Sequence, residues 1–177
     1  GAGLGVVASA PCDVETAYHC ARVEADPANP GGRTLILNSA RHSYVDLDDP
    51  RHLEFAYVQW IAAVADVLEP GALDTLHLGG GGFTVPEYLR TTRPGSDQLV
   101  LELDGGLVEL DRRELGLRTG PDLRVRTGDA RVGVATQPDR RYDFVVGDAF
   151  GHLVVPWHLA TREMMQDVSR VLTDDGV

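Results

Sequence analysis

The sequence of 177 residues contains no lysine, and all 16 of its basic residues are arginine. Without lysine the chain cannot form a lysine Schiff base, and it cannot build a Walker-type phosphate loop, which requires a lysine. It also lacks a nucleophile turn of the G-x-S-x-G type. These absences argue against Schiff-base enzymes, P-loop nucleotide hydrolases and serine hydrolases of the nucleophile-elbow kind.

Cysteine and long apolar runs are also scarce. Cys12 and Cys20 are the only cysteines, and their spacing matches no common metal-ligand pattern. Two such thiols favour a reducing compartment without a disulfide framework, so we expect a cytoplasmic protein. No stretch approaches the roughly 18 apolar residues of a membrane span. Residues 1–13 lack the charged start of a secretory signal, and we expect a flexible lead-in or a cloning remnant.

Positive charge is in the minority, since the formal net charge is −11 at pH 7. An acidic surface argues against nucleic-acid and anionic-membrane partners. It suits a cationic ligand, although solubility alone accounts for most acidic surfaces. The hydrophobic fraction of 43% is enough for the core of one domain of this length.

The hydrophobic pattern changes character near residue 70. Before it, AYHCARVEA and RTLILNSARHSYVDL are β-type runs separated by the turn sequence ADPANPGG, which predicts a small antiparallel β-hairpin cap over residues 14–48. A helix is expected next, with Asp49 as its N-cap and Pro50 in its first position. Apolar residues recur at helical spacing in this segment: Leu53, Tyr57, Trp60, Ile61, Val64 and Leu68.

From residue 73 onward, strands and helices alternate. The strand-type runs are ALDTLHL, QLVLELD, DLRVRTGD and YDFVVGD, and the helical segments are VPEYLRTT, GLVELDRREL and WHLATREMMQDVSRVL. This alternation predicts an α/β domain over residues 49–177, a Rossmann-like parallel sheet with helices on both faces. Its sheet is expected to be incomplete, because LTDDGV ends where a further strand should begin. His77 is expected to be a satisfied core residue, and DRREL at 111–115 a solvated helix face.

Four consecutive glycines follow the first of these strands: Gly79, Gly80, Gly81 and Gly82. A flexible tether would separate domains, whereas this run joins a strand to a helix. Ligands bind at the carboxyl ends of parallel strands, and glycine there lets a ligand approach the backbone. The run is not a strict G-x-G-x-x-G, because Thr84 occupies the last position, so alone it is weak evidence for a nucleotide.

Acidic residues end the next three strands. Glu102, 23 positions after Gly79, can accept hydrogen bonds from both hydroxyls of a ribose diol. The alternative interpretation is a solvated acid at the end of a strand. Asp129 can accept a hydrogen bond from an adenine amino group, or it caps a helix. Asp148 faces the same crevice, or it is a capping residue. Together with the glycine turn, the three acids predict an adenosine-type ligand.

The motifs LHLGGGGFTVPEYLR, LVLELDGGLVEL, RVRTGDAR and YDFVVGDAF resemble the successive motifs of the spermidine synthase family. AYHCARV, RTLILNSARHS and LEFAYVQWI are similar to that family's β-hairpin cap and following helix, so the resemblance covers residues 14–177. It implies a methyltransferase-type Rossmann fold and a role in polyamine synthesis. The implied reaction moves an aminopropyl group from decarboxylated S-adenosylmethionine to a small-molecule amine, in a homodimer, with no metal and no covalent cofactor.

The resemblance also implies a role for each site residue. Glu102 would hold the ribose of the donor, while Asp129 and Ala130 would hold its adenine, beside the glycine turn. Asp148 takes the position of the catalytic acid that accepts a proton from the attacking amine. Tyr57 takes the position of a tyrosine that orients this amine. The roles are chemically consistent, because an alkylammonium becomes a nucleophile only after it loses a proton.

Several positions depart from the family pattern. Gly82 stands where the family's GGGDGG turn has the aspartate that grips the amino end of the donor. Gly151 stands where its D-S-S-D-P loop has the second carboxylate, and His152 and His158 are candidate replacement contacts for the amine. His19 and His42 replace glutamines at a donor-binding and an amine-binding position. Since two anchoring acids are missing, an S-adenosylmethionine-dependent methyltransferase and a non-catalytic nucleoside-binding domain stand as alternatives.

Overall fold

The computed structural model describes residues 12–150 and 154–177, and this part of the chain contains two β-sheets and five α-helices. The first sheet is an antiparallel meander of β1 (Val14–Glu15), β2 (Cys20–Asp26), β3 (Asn29–Leu37) and β4 (Ala40–Asp46). Asn38 turns the chain between β3 and β4 in the left-handed region, with φ 58°. The predicted cap is therefore a four-stranded sheet.

The prediction of free thiols is wrong. Cys12 and Cys20 are joined by a disulfide, with their Cα atoms 5.3 Å apart. The antiparallel pairing of β1 with β2 brings the two cysteines together, so the cysteine argument for a reducing compartment no longer holds. Asp13, which we assigned to the flexible lead-in, donates its N–H to the Ala21 carbonyl at 2.9 Å. Residues 1–11 of that lead-in lie outside the described residues.

Helix α1 (Ala56–Val67) begins later than its sequence pattern predicts. The predicted N-cap, Asp49, instead forms a tight turn: its carboxylate accepts the Arg51 N–H at 3.1 Å, and its carbonyl accepts the His52 N–H at 2.9 Å. An aspartate whose side chain accepts a hydrogen bond from the backbone N–H two residues later favours such a turn over the start of a helix. The observed N-cap is Phe55, which makes no side-chain capping bond.

The second sheet is parallel, in the order β7-β6-β5-β8. Its strands are β5 (Asp74–Leu78), β6 (Asp97–Glu102), β7 (Leu123–Thr127) and β8 (Phe144–Gly147). The chain moves outward from β5 to β7 and then crosses back to β8, so a crevice forms at the carboxyl ends of β5 and β8, where ligands bind in such folds. The Rossmann-like fold prediction is confirmed.

Three helices connect these strands: α2 (Thr84–Thr92), α3 (Gly105–Glu114) and α4 (Ala130–Ala135). A fourth helix, α5 (Arg162–Val171), follows β8. The sequence pattern missed the short α4. It also extended α5 too far toward the N-terminus: a 3-10 turn at Trp157–Leu159 comes first, and Thr161 then caps the helix by accepting the Met164 N–H. Among the described residues, no helix has the length and apolar character that crossing a bilayer requires.

The parallel sheet is covered on both faces. Leu76 and Leu78 of β5 pack with α4 and α5 on one face, whereas Val100 of β6 packs with α3 on the other, which α1 and α2 also cover. The first sheet packs against α3.

His77 is 1% exposed and lies 3.1 Å from the Gln98 side-chain oxygen, which confirms a satisfied core histidine. Burial lowers the pKa of His77 to about 4.

Candidate active site

A cavity of about 390 Å³ opens at the carboxyl ends of the parallel strands, with the first sheet contributing part of its wall. The predicted site residues that line it are His19, His42, Gly79, Gly81, Glu102, Asp129, Ala130 and Asp148. Tyr57 and Gly80 line a smaller adjoining pocket that shares Gly79 and Asp148 with the cavity. The fold therefore brings most of the predicted residues together. His152 and Gly151 lie outside the described residues.

The glycine turn lies directly against the end of β8. Gly79 has φ +96°, and a Cβ there would approach the carbonyl oxygen of Asp148 to 2.6 Å. Gly81 has φ +51°, and its missing side chain leaves room for His42. A residue with a side chain is strained in these conformations, so the turn is built for close backbone packing.

Glu102 is nearly buried, with 6% of its surface exposed, and its carboxylate is fixed by two backbone groups. One oxygen accepts the Gly80 N–H at 2.7 Å, and the other accepts the Asp104 N–H at 2.8 Å. Each carboxylate oxygen has a second lone pair. Glu102 can therefore remain bonded to the turn and still accept a hydroxyl from a ligand.

Asp104 is a structural residue of the site that the sequence analysis missed. It is 2% exposed, and one of its carboxylate oxygens caps α3 by accepting the Gly106 and Leu107 N–H groups. The other oxygen accepts the Thr16 hydroxyl at 2.5 Å and lies 3.1 Å from His19 Nδ1. Its position before two glycines and an apolar run is typical of an N-cap and could have identified it.

Gly82 is buried and lies beside the first sheet. Its N–H donates to Ser43 Oγ at 3.0 Å, and His42 Nδ1 lies 3.1 Å from the same oxygen. A Cβ at position 82 would approach Ser43 Cβ to 2.8 Å. In the described part of the chain, Gly82 lines neither pocket. Burial lowers the pKa of His42, and the neighbouring His19 contributes to this shift.

Asp129 has two structural roles at the cavity wall. Its Oδ1 atom accepts the Arg131 and Val132 N–H groups at 2.8 and 3.3 Å, which confirms the N-cap interpretation for α4. Its Oδ2 atom lies 3.1 Å from His158 Nε2. His158, one of the two histidines considered as replacement contacts for the amine, also lines the cavity. A ligand amino group at Asp129 would therefore share Oδ2 with this histidine.

Asp148 and Tyr57 form the polar pair between the two pockets. The Tyr57 hydroxyl donates to Asp148 Oδ2 at 3.3 Å, although the residues lie 91 positions apart. Burial raises the pKa of Asp148 to about 6, and the Tyr57 hydrogen bond opposes that rise. Burial also raises the pKa of Tyr57, as does the nearby Asp148 charge. A carboxylate with this pKa can accept a proton near neutral pH.

Comparisons with known proteins find relatives by sequence and by fold, although no protein-family model matches the chain. A polyamine aminopropyltransferase of Vibrio vulnificus is 33% identical over 136 residues, which cover 76% of this chain and 45% of that protein. A probable spermidine synthase from Corynebacterium glutamicum is 28% identical, with a TM-score of 0.83 over 90% of this chain and 59% of that one.

A further solved structure shares the fold. It is a spermidine synthase in complex with the transition-state analogue AdoDATO, 22% identical, with a TM-score of 0.71 over 92% of this chain and 54% of that one. The chain spans about half the length of the curated relatives it matches. Sequence relatives, structural neighbours and the motifs at the cavity agree. The chain therefore belongs to the spermidine synthase family of polyamine aminopropyltransferases.

Proposed function

We propose that the protein transfers an aminopropyl group from decarboxylated S-adenosylmethionine to a small-molecule amine, as a step of polyamine synthesis. The observation that carries the proposal is the position of Asp148, which lines both the large cavity and the adjoining pocket of Tyr57. A donor in the cavity and an amine approaching beside Tyr57 would meet at this carboxylate. The homodimer stays a prediction, and so does the cytoplasmic location, which the cysteines no longer support.

In the proposed reaction, Asp148 accepts a proton from the ammonium group of the acceptor, and Tyr57 holds the carboxylate in place. The freed amine attacks the donor carbon bonded to the sulfonium sulfur. The C–N bond forms as the C–S bond breaks, and sulfur leaves as the neutral thioether of methylthioadenosine. The donor carries its own leaving group, so the protein has only to bind, orient and deprotonate.

The donor nucleoside is assigned to the large cavity. Glu102 would accept the ribose hydroxyls, while Asp129 and Ala130 would contact the adenine. The binding of AdoDATO by a spermidine synthase of the same fold supports this assignment. The most direct test incubates the protein with either donor and a panel of amines. Methylthioadenosine is the expected product, whereas S-adenosylhomocysteine from intact S-adenosylmethionine would identify a methyltransferase instead.

Glu102→Gln is expected to weaken the binding of methylthioadenosine by about 1.5–3 kcal/mol, the usual value of a charge-assisted hydrogen bond. Glutamine keeps one acceptor for the backbone of the glycine turn, so it is a milder change than alanine. Isothermal titration calorimetry measures the effect. Glu109→Gln is the matched control, because Glu109 lies on the exposed side of α3. Unchanged affinity in Glu102→Gln would remove Glu102 from the ribose site.

Gly82→Asp is expected to destabilise the protein by about 1–3 kcal/mol, the usual cost of overpacking. The reason is the 2.8 Å approach of the new Cβ to Ser43 Cβ. Adding Ser43→Gly removes the clashing atom but also the acceptor of the residue-82 N–H, so it should recover only part of this loss. Urea denaturation of the single and double variants measures both effects. If Gly82→Asp alone is as stable as the unmodified protein, the glycine turn can shift to make room for the new side chain.

The missing carboxylate at position 82 also affects the expected choice of donor. In the family pattern, the aspartate at this position pairs with the terminal ammonium of decarboxylated S-adenosylmethionine, and its charge would repel the carboxylate of the intact form. Since Gly82 provides no such charge, we infer only a small preference between the two donors. The Gly82→Asp, Ser43→Gly double variant is the protein in which to look for a restored preference, because the single variant disturbs packing as well as charge.

A further inference from the structure

A disulfide closes the hairpin that carries two residues of the cavity wall. The bond between Cys12 and Cys20 spans the turn from β1 to β2, and both Tyr18 and His19 in that turn line the cavity. Within the turn, the His19 N–H donates to Thr16 Oγ at 2.9 Å. Both cysteines are partly exposed, so a small thiol reagent can reach them.

The same hairpin is bonded to the centre of the nucleoside site. Thr16 and His19 both contact Asp104 Oδ2, at 2.5 and 3.1 Å. The Asp104 N–H donates to Glu102 at 2.8 Å, and Glu102 accepts the Gly80 N–H at 2.7 Å. Hydrogen bonds therefore connect the hairpin to the carboxylate assigned to the ribose, and then to the glycine turn.

The outer strand of this hairpin depends on few other contacts in the described part of the chain. β1 has two residues, and β2 is its partner at the edge of the sheet. Asp13 adds one backbone bond to Ala21, and its carboxylate accepts the Val23 N–H at 2.8 Å. Such short edge segments open locally at low cost. A covalent link that closes a short loop limits the conformations available to it.

We propose that the Cys12–Cys20 disulfide is a redox-sensitive clamp on the nucleoside site. In the oxidised protein the clamp keeps Tyr18 and His19 in the cavity wall, and it keeps His19 against Asp104. A dithiol reductant converts the disulfide into two thiols and itself closes to a cyclic disulfide, after which the hairpin loosens. This inference rests on the proposed function for the identity of the ligand, but the loosening of the hairpin does not.

The test compares oxidised and dithiothreitol-reduced protein by calorimetry with methylthioadenosine. Reduction is expected to weaken binding about tenfold, within the usual range for coupling between two sites. The Cys12→Ser, Cys20→Ser double variant should bind as weakly as the reduced protein and should not respond to dithiothreitol. Hydrogen exchange without ligand should be faster in residues 13–22 after reduction. Thermal melting confirms that each sample is folded at the assay temperature.

The outcomes separate the clamp from the proposed function. Equal affinity in both redox states overturns the clamp and leaves the nucleoside site standing. Absence of binding in both states overturns the nucleoside site, and hydrogen exchange then decides independently whether the disulfide restrains the hairpin. Titration of two free thiols in the protein purified without reductant would also overturn the clamp.

Discussion

Asp148→Asn is expected to reduce the rate of aminopropyl transfer by about 10²–10⁴-fold, the usual contribution of a general base. Asparagine has nearly the same shape but cannot accept the proton of the attacking ammonium. The rate at saturating donor and amine measures the effect. Asp139→Asn is a suitable control, because the Asp139 side chain is 72% exposed. Nearly full activity in Asp148→Asn would mean that another group takes the proton.

The pH dependence gives a second, independent check on Asp148. The base works only when it is ionised, so the rate should fall as the pH drops through about 6, the raised pKa of this carboxyl. Tyr57→Phe should shift that acid limb to higher pH, because the Tyr57 hydrogen bond stabilises the ionised form. An acid limb at the same pH in Tyr57→Phe would show that the 3.3 Å contact does not act on Asp148.

Asp111→Asn is expected to stabilise the protein, and increasingly so as the pH rises. Asp111 lies on α3 with 0% exposure, and neither of its carboxyl oxygens has a hydrogen-bond partner among the described residues. Burial raises its pKa from 3.8 to about 9, with further contributions from the charges of Glu102 and Asp104. A buried carboxyl in this position is neutral in the folded protein at neutral pH.

The sign of the effect follows from the proton balance of unfolding. Between pH 3.8 and about 9 the folded protein keeps the Asp111 proton, whereas the unfolded chain releases it. Asp111 therefore lowers the free energy of unfolding by about 1.4 kcal/mol for each pH unit in that window. Asparagine cannot ionise, so the advantage of Asp111→Asn should grow by about 4 kcal/mol between pH 5 and pH 8.

Urea denaturation at pH 5, 6.5 and 8 measures this difference. Glu109→Gln serves again as the control, since it removes an acid from the exposed face of the same helix and should leave the pH slope almost unchanged. If the stabilities of Asp111→Asn and the unmodified protein run parallel across the three pH values, Asp111 does not hold its proton in the folded state.

The alternation of strands and helices could be predicted from the sequence because it depends on local periodicity. So could the convergence of Glu102, Asp129 and Asp148, because the carboxyl ends of neighbouring parallel strands meet at one edge of a sheet. The glycine turn after β5 follows from the same rule. The cavity and most of its wall were therefore determined by the order of elements along the chain.

Contacts between distant segments were decided only by the tertiary structure. The pairing of β1 with β2 joined Cys12 to Cys20, and the first sheet placed Ser43 where a side chain on Gly82 would project. Asp111 was predicted to lie on a solvated helix face, but the first sheet and β6 cover both sides of α3, so it is buried. Local spacing shows which residues share a face of an element, whereas the packing of other elements against that face decides what each side chain meets.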